Sequence, residues 1–527
     1  MDLETFLHDL HFNTEKVTPP DWQVDWEDAP LPYKLYRGLP VVPLSGDVPL
    51  LFEKRETHLK PSLAELGHFL WYVYGLTQYC QSPLNNGMNE KDVSFVQSMR
   101  RFVPSGGALY PNEIYVYVNF EDVPQGIYHY DVAHHRLVLV REGDYDFYLA
   151  RSIKNGNDTS GRFCTIFIST VFWKNFYKYN NFSYRLQGLD AGVLIGQSIE
   201  VANRMGFSSR VCYQFLDRAL NHLLGLSEQD ESVYAVISLS TDESINYIDK
   251  DINKKEVASA TELCGELPLL EHTLYNRSKR VIPFPTLNKV NEASMYETTK
   301  SFVKLKSNHN ARHSLGTEMI LLPFMEDFSY DLASVCRKRH SPDLDFMIGK
   351  VNQTQLSTLL KETLTFSYQN DLDETYGNIE SRMSLYGSFY NVERIPNGTY
   401  SYNSNTHTLR TINMGDYREL LQNGLTMPTV NLYQVPLCLH VVGERDYFKE
   451  QLGYRGYRIQ QMEAGILVQR LLLVSVALGM GGHPLLGFDA NNCDQVYRID
   501  SKGKTCLIQI PIGPYRPRAW LKGSLQS

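Results

Sequence analysis

The stretch RRFVPSGGALYPNEIYVYV, Arg100 to Val118, sets two adjacent glycines, Gly106 and Gly107, and a Tyr-Pro pair just upstream of a run that alternates like a strand. Glycine has no Cβ, so the chain has put its most deformable loop where a strand begins and another group can come close to its backbone. A second stretch, WKNFYKYNNFSYR, sets Lys178 beside Tyr179 ahead of Tyr184-Arg185. A lysine becomes a general base only where burial or a neighbouring cation lowers its pKa toward neutrality. By pattern alone this one belongs to a Lys/Asn/Tyr-rich helix start with solvated amines. The eight cysteines stand at least a dozen residues apart, without a C-x-x-C pair. That spacing argues against a zinc site or a redox dithiol and for free, mostly buried thiols in a reducing compartment. His134 and His135 fall on a strand or turn and read as structural.

These residues must be positioned by elements, and the length of 527 residues predicts two domains or two fused copies of one. With 43% hydrophobic and 21% charged residues the composition is that of an ordinary globular protein. A net charge of −8 supplies no concentrated basic face for nucleic acid. The start, MDLETFLHDLHF, has no cationic region followed by an apolar core and is not expected to be a secretory signal. The longest apolar run, from Gly465, is broken by Gln469 and Arg470 and predicts a buried helix, not a membrane span. The expectation is a cytoplasmic protein with neither a nucleic-acid nor a membrane partner.

The chain repeats itself. YRLQGLDAGVLIGQSIEVANRMG, from Tyr184, matches YRIQQMEAGILVQRLLLVSVALG, from Tyr457, without a gap. GIYHYDVAHHRL, from Gly126, matches GTYSYNSNTHTL, from Gly398, and the offset between copies differs by a single position from that of the long block. Order and spacing are therefore kept. Each long block predicts a buried helix of about six turns. Gly188, Gly192 and Gly196 stand four apart on one face of the first, which allows another backbone to approach. Asp190 and Glu463, acids in both copies, are expected to partner the Tyr-Arg arginines or to cap local backbone. Each half therefore reads as an α+β unit: residues 1–265, a polar linker over 266–320, and 321–527. Two copies in one chain imitate a homodimer, whose pseudo-twofold interface can hold a ligand.

The strings PSGGALYPNEIYVYV, GIYHYDVAHHRL, YKYNNFSYRLQGLDAG and YQFLDRALNHLLGL resemble the SagB/ThcOx-type dehydrogenases of the nitroreductase superfamily, flavoproteins that oxidise azoline rings in ribosomally made peptides to azoles. The resemblance implies two tandem nitroreductase-like domains forming an intrachain pseudo-dimer, with FMN at the interface. It implies that Pro104, Ser105, Gly106 and Gly107 pass close to the flavin ring. VCRKRHSPDLDF is similar to the family's phosphate segment, normally an Arg-Arg-Ser string before a helix, which implies Arg337, Arg339 and Ser341 as phosphate ligands. GGHPLLGFD resembles the loop facing the reactive edge of the flavin, at Pro484, Leu485 and Gly487, and GPYRPR adds Arg516 and Arg518. MSLYGSFYNV, which reads as the second copy's equivalent of the glycine loop, lacks Pro-Ser-Gly-Gly, so one FMN per chain is expected.

The family associates catalysis with a Lys-Tyr pair that matches Lys178 and Tyr179. Lys178 would take the α-carbon proton of a thiazoline or oxazoline, Tyr179 would hydrogen-bond the amine, and a hydride would pass to flavin N5. At the offset that carries Tyr184 to Tyr457 the pair becomes Gln451-Leu452. The implied partners are an azoline-containing precursor peptide and a cyclodehydratase complex, and no metal is implied. Two other readings share the sequence: an NAD(P)H-dependent nitro- or quinone reductase, and a flavin-free peptide-binding scaffold.

Overall fold

A computed structural model describes residues 2–52, 61–85, 93–154, 162–241, 257–305, 318–324, 328–373, 381–517 and 521–524. The strand Asn112–Val118 shows how the pattern builds the fold. Ile114, Val116 and Val118 face the main core, while Tyr115 and Tyr117 point the other way into a second cluster, so an alternating string is buried on both faces.

Its sheet has eight strands in the spatial order Val41–Pro43, Arg136–Glu142, Gly126–Asp131, Asn112–Val118, Arg162–Val171, Glu231–Ser240, Ser208–Cys212 and Gln369–Asn370. A second sheet runs Met319–Leu321, Thr408–Met414, Gly398–Asn403, Ser384–Phe389, Leu437–Glu444, Lys504–Gly513 and Gly481–Gly482. The α+β class is as expected, and seven strand positions correspond in order. Their registers correspond too. Tyr115 faces Phe167 as Gly387 faces Leu439, at the offset that carries Gly126 to Gly398. Ser209 faces Leu239 as Gly482 faces Ile512, at the offset that carries Tyr184 to Tyr457. A bulge recurs at matching places, Ile127/Tyr128 and Thr399/Tyr400. A small third sheet, Leu521–Ser524, Gln78–Asn85 and Val93–Arg100, leads the chain into the glycine loop.

Between the sheets lie the helices Ser183–Met205 and Arg455–Ala477, 23 residues each and almost wholly buried. They touch through their glycines. A Cβ on Gly192 would strike the Met462 carbonyl, and one on Gly465 would lie 2.7 Å from Val193 N and 2.8 Å from Gly192 Cα. Gly188 and Gly196 are equally hemmed, by Gln461 at 2.8 Å and Ile466 at 3.1 Å. Thus the glycine stripe does admit a second backbone. Gly192 and Gly465 are repeat equivalents, as are Tyr184 and Tyr457, whose rings stack at 6.0 Å and 12°. A residue meeting its own counterpart is the signature of a twofold, isologous contact.

The Tyr-Arg arginines cross this contact. Arg185 donates to the carbonyls of Leu10 (3.3 Å) and Leu507 (2.7 Å), while Arg458, with Arg455, grips Asp217 in the first half at 2.9 and 2.6 Å. The expected pairing of Asp190 and Glu463 with these arginines is not made. Moving from the arginine to the acid of each copy turns the helix by about 140° away from the starting face. Asp190 instead bonds Ser105 and Gly106, the backbone-capping alternative, and Glu463 bonds Arg382.

Other segments also cross. The helix Leu3–Phe12 packs on the second half, with His11 Nε2 2.8 Å from Thr505 Oγ1, and Gln369–Asn370 pairs in parallel with Ser208–Cys212 of the first. Within the segment expected as linker, the helix Pro285–Ala293 buries Leu287, Val290 and Asn291, and Asn291 Oδ1 accepts from Arg458. Among the described residues no helix is long and apolar enough to cross a membrane. All eight cysteines are unpaired and all but Cys264 are buried.

Gly192→Val should destabilise the protein by at least about 3 kcal/mol, because the clash is with backbone and cannot be relieved by a rotamer. Gly265→Ala, where a Cβ meets nothing within 4 Å, should be neutral or slightly stabilising. Thermal unfolding of the two variants checks the contrast.

Candidate functional site

The loop Pro104–Gly107 hangs from the first long helix by one carboxylate. Ser105 Oγ donates to Asp190 at 2.6 Å, the Gly106 N–H donates to Asp190 at 3.2 Å, and the Tyr110 N–H donates to Ser105 Oγ at 2.9 Å. Gly107 takes a φ of +66°, and Ala108 and Tyr110 follow it into the left-handed region at 57° and 49°. A Cβ on Gly107 would lie 2.5 Å from Tyr179 Oη and 2.8 Å from Lys178 Nζ. The glycine is therefore required by the Lys-Tyr pair itself, whereas the sequence suggested only a cofactor as the colliding group. Burial without a cation nearby lifts the Asp190 carboxyl to about 7, against the pull of its two hydrogen bonds.

Lys178 and Tyr179 end the short helix Trp173–Tyr179. The Lys178 ammonium lies 5.3 Å from the Trp26 ring and 4.9 Å from the Tyr179 ring, with no carboxylate partner among the described residues. Partial burial pushes this amine below the ordinary lysine range and the Tyr179 phenol above its own. In the second copy Gln451 and Leu452 end the helix Lys449–Leu452, and Leu452 is buried apolar packing.

From the second half, Arg337, Arg339 and Ser341 lie at and beyond the end of the helix Leu332–Lys338, in the connection that leads to the helix Gln353–Leu364. They part company. Arg339 is buried and donates Nε–H to the Phe102 carbonyl at 2.6 Å, at the start of the glycine loop. No carboxylate pairs with it among the described residues, and burial brings its guanidinium down to about 10. Arg337 lies toward the surface and donates to the Leu50 carbonyl. Ser341 is half-buried between Arg339 and Asp343, which meets His483 at 3.1 Å. Arg516 is 68% exposed and already paired with Asp345, and Arg518 lies outside the described residues.

In the loop after Gly481–Gly482, the Leu485 amide is taken by the Gln509 carbonyl at 2.8 Å, and the half-buried Pro484 has no N–H to offer. The Gly487 carbonyl accepts from Thr426, while the N–H groups of Leu486 and Gly487 have no protein partner among the described residues. The arrangement thus sets two acid-free cations at the ends of one loop, Arg339 at Phe102 and Lys178 at Gly107. Such a site can hold an anion and accept a proton. Among the described residues no group of three or more His, Cys, Asp or Glu could hold a metal ion.

One expectation is corrected. MSLYGSFYNV contains the strand Ser384–Phe389, which holds the same sheet position as Asn112–Val118. It is the counterpart of the strand, not of the loop. The loop's counterpart, by the strand register, falls at 376–379, outside the described residues. Sequence reading also missed Trp26, which no motif marks, and the unpaired Leu486 amide, which only the bridge at Leu485 exposes.

No family model matches the chain. The fold is shared with a crystal structure from Anabaena variabilis described as a nitroreductase, at a TM-score of 0.71 and 19% identity, over 98% of this chain and 99% of that one. A chain of the E. coli microcin synthetase McbBCD complex with truncated pro-MccB17 is 20% identical over 35% of this chain and 70% of its own, at a TM-score of 0.27. Among curated proteins, the trifolitoxin-processing protein TfxB of Rhizobium leguminosarum bv. trifolii is 28% identical over 142 residues, 26% of this chain, and the match spans 38% of that protein's length. The Anabaena structure and this chain therefore share one α+β fold over nearly their whole lengths.

Asp190 supplies a test of the loop's suspension. Its carboxyl holds a proton to about pH 7 when folded and to about pH 4 when unfolded, so between those values the folded state binds the extra proton. Stability contributed at this site is accordingly highest at low pH, falls as pH rises through that window and stays low above it. Asp190→Asn keeps an acceptor for the Gly106 N–H and cannot ionise. Between pH 5 and pH 8 the wild type should lose roughly 2–3 kcal/mol relative to this variant, measured as the difference in unfolding free energy.

Proposed function

We propose that the chain is an FMN-dependent oxidoreductase that oxidises thiazoline or oxazoline rings of a ribosomally made precursor peptide to azoles. One flavin lies in the seam of an intrachain pseudo-dimer formed by residues 1–265 and 321–527, joined through 266–320. The observation that carries this reading is the pair of acid-free cations on one loop, Lys178 against Gly107 and the buried Arg339 against Phe102. Their chemistry fits the cofactor. Arg339, with Ser341 two residues on, offers a guanidinium fork and a hydroxyl to a phosphate, and the free amides of Leu486 and Gly487 offer donors to a ring oxygen or nitrogen. The relative named for trifolitoxin processing supports a place in peptide maturation. In this reading the precursor's rings are made by a partner cyclodehydratase.

Azoline oxidation removes two hydrogens, a proton from the α-carbon and a hydride from the neighbouring ring carbon. When bound, FMN supplies the two-electron acceptor. The chain's own residues handle the proton. Lys178 is partly buried and lacks an acid to hold its charge, so its neutral amine is accessible at lower pH than for an exposed lysine. Both Lys178 Nζ and Tyr179 Oη crowd the Cβ position that Gly107 leaves vacant. Gly107 thereby lets the proton acceptor and its hydroxyl neighbour reach the loop's surface together. Pro104, Ser105 and Gly106, fixed by Asp190, form the floor beneath them.

The deciding experiment is the visible spectrum of the purified protein, with released flavin identified and counted. One FMN per chain is expected. No uptake, even after added FMN, would favour a scaffold, and rapid bleaching of bound flavin by NAD(P)H alone would favour a reductase. Arg339→Gln should weaken FMN binding more than riboflavin binding, because the Phe102 carbonyl is lost as a partner in both cases and the phosphate in only one. Equal losses for both would remove the phosphate assignment.

Lys178→Ala should retain flavin and lower turnover of an azoline peptide by about 10²–10⁴-fold. In the wild type, turnover should rise with pH with a midpoint below the ordinary lysine range, and that limb should vanish in the variant.

A further inference from the structure

The constant repeat offset gives each residue of the proposed ligand seam a counterpart on the other side of the twofold contact. Gly481 and Gly482 correspond to Ser208 and Ser209 by strand register, so Leu486 and Gly487 correspond to Tyr213 and Gln214. The helices that follow agree, Ala490–Tyr497 matching Asp217–Leu224 at the same offset. At one position the two amides are without a protein partner among the described residues. At the other they are not. Asp371 places one carboxylate oxygen 2.9 Å from the Tyr213 N–H and the other 2.9 Å from the Gln214 N–H.

Asp371 is 1% exposed and comes from the other half of the chain, carried in by Gln369–Asn370, which adds in parallel to the strand Ser208–Cys212. It is held from behind. The Lys154 ammonium and the Gln214 side chain both donate to the Asp371 carbonyl, at 2.8 and 3.3 Å, and Leu305 donates to the carbonyl of Leu372. Beyond it, among the described residues, lies a network of charged and hydroxyl groups. Arg382 spans Asp373 and Glu463, the equivalent of Asp190, and Tyr368 joins Glu463 (3.5 Å) to the Tyr213 hydroxyl (2.9 Å). Where Asp190 suspends an open loop, Glu463 closes an ion pair.

We propose that the seam has two ligand positions related by the internal repeat, and that one is permanently occupied by the chain's own Asp371, whose carboxylate serves as an internal ligand on the Tyr213 and Gln214 amides. The ligand class of that position is a carboxylate, two oxygens on two adjacent N–H donors. The strap 369–373 thereby makes the seam one-sided, leaving the Leu486 and Gly487 amides as its open member. Identifying that open member as a cofactor position rests on the function proposed above. The carboxylate site does not, and its test involves no flavin.

Removing the side chain should leave a vacancy that a small carboxylate can refill. The full-length Asp371→Ala protein should unfold at lower temperature than wild type and recover part of the loss, saturably, in sodium formate but not in sodium chloride of equal ionic strength. Wild type should respond alike to both salts. The same response of Asp371→Ala to both salts would overturn the proposal. Should that variant not fold, Asp371→Asn, which fills the position but keeps an acceptor for only one amide, is scored instead by amide hydrogen exchange: faster exchange at one of the Tyr213 and Gln214 N–H groups supports the internal ligand, and unchanged exchange at both refutes it. A chain that takes up no FMN yet shows formate rescue would retain this site and lose only the proposed function.

Discussion

The two long helices meet backbone to backbone, and the fold rests on that contact. At Gly192 and Gly465 the long helices touch with no side chain between them, a separation that only glycine permits. Each glycine meets its repeat equivalent there, and the same repeat carries the matching bulges of the two sheets and the crossed arginines. The contact also decides which groups can meet. Arg185 and Arg458 reach opposite halves from the starts of the paired helices, and Asp190, about 140° round its helix from Arg185, is aimed at the glycine loop.

That architecture explains why two copies of one pattern have diverged in chemistry. At the first copy's position, Asp190 holds a loop open beside Lys178 and Tyr179. At the second, Glu463 is neutralised by Arg382, and the Lys-Tyr pair has become Gln451 and the buried Leu452. Buried carboxylates are tolerated in both places, by different means. Asp190 has two hydrogen bonds and a raised affinity for its proton, whereas Glu463 has a guanidinium.

Much of this could be seen in the sequence. The near-equal offsets from Tyr184 to Tyr457 and from Gly126 to Gly398 are visible in aligned blocks, and the glycine spacing announces a close helix contact because each such glycine is costly in a helix interior. The meeting of Gly107 with Lys178 and Tyr179 was not legible in the sequence, since four strands and a short helix separate loop and pair along the chain. Arg337 and Arg339 look interchangeable in a string, yet one lies toward the surface near Leu50 and the other is buried at Phe102. A two-residue shift along a chain leaving a helix decides between solvent and core. Asp371 carries no motif at all, because its role comes from parallel pairing with Ser208–Cys212, a strand of the other half.

The helix Leu3–Phe12 has a consequence for how the protein is made. Its His11 waits for Thr505, 494 residues later, and the Leu10 carbonyl shares Arg185 with Leu507. Ribosomes release chain from the amino end, so this helix emerges hundreds of residues before its seat does. The first half cannot be finished before Asp371 and Arg458 have been synthesised, because it borrows a strand and two side chains from beyond its own end. Such long-range closure gives a high contact order and a slow final step, during which the apolar face of that helix remains exposed to other chains.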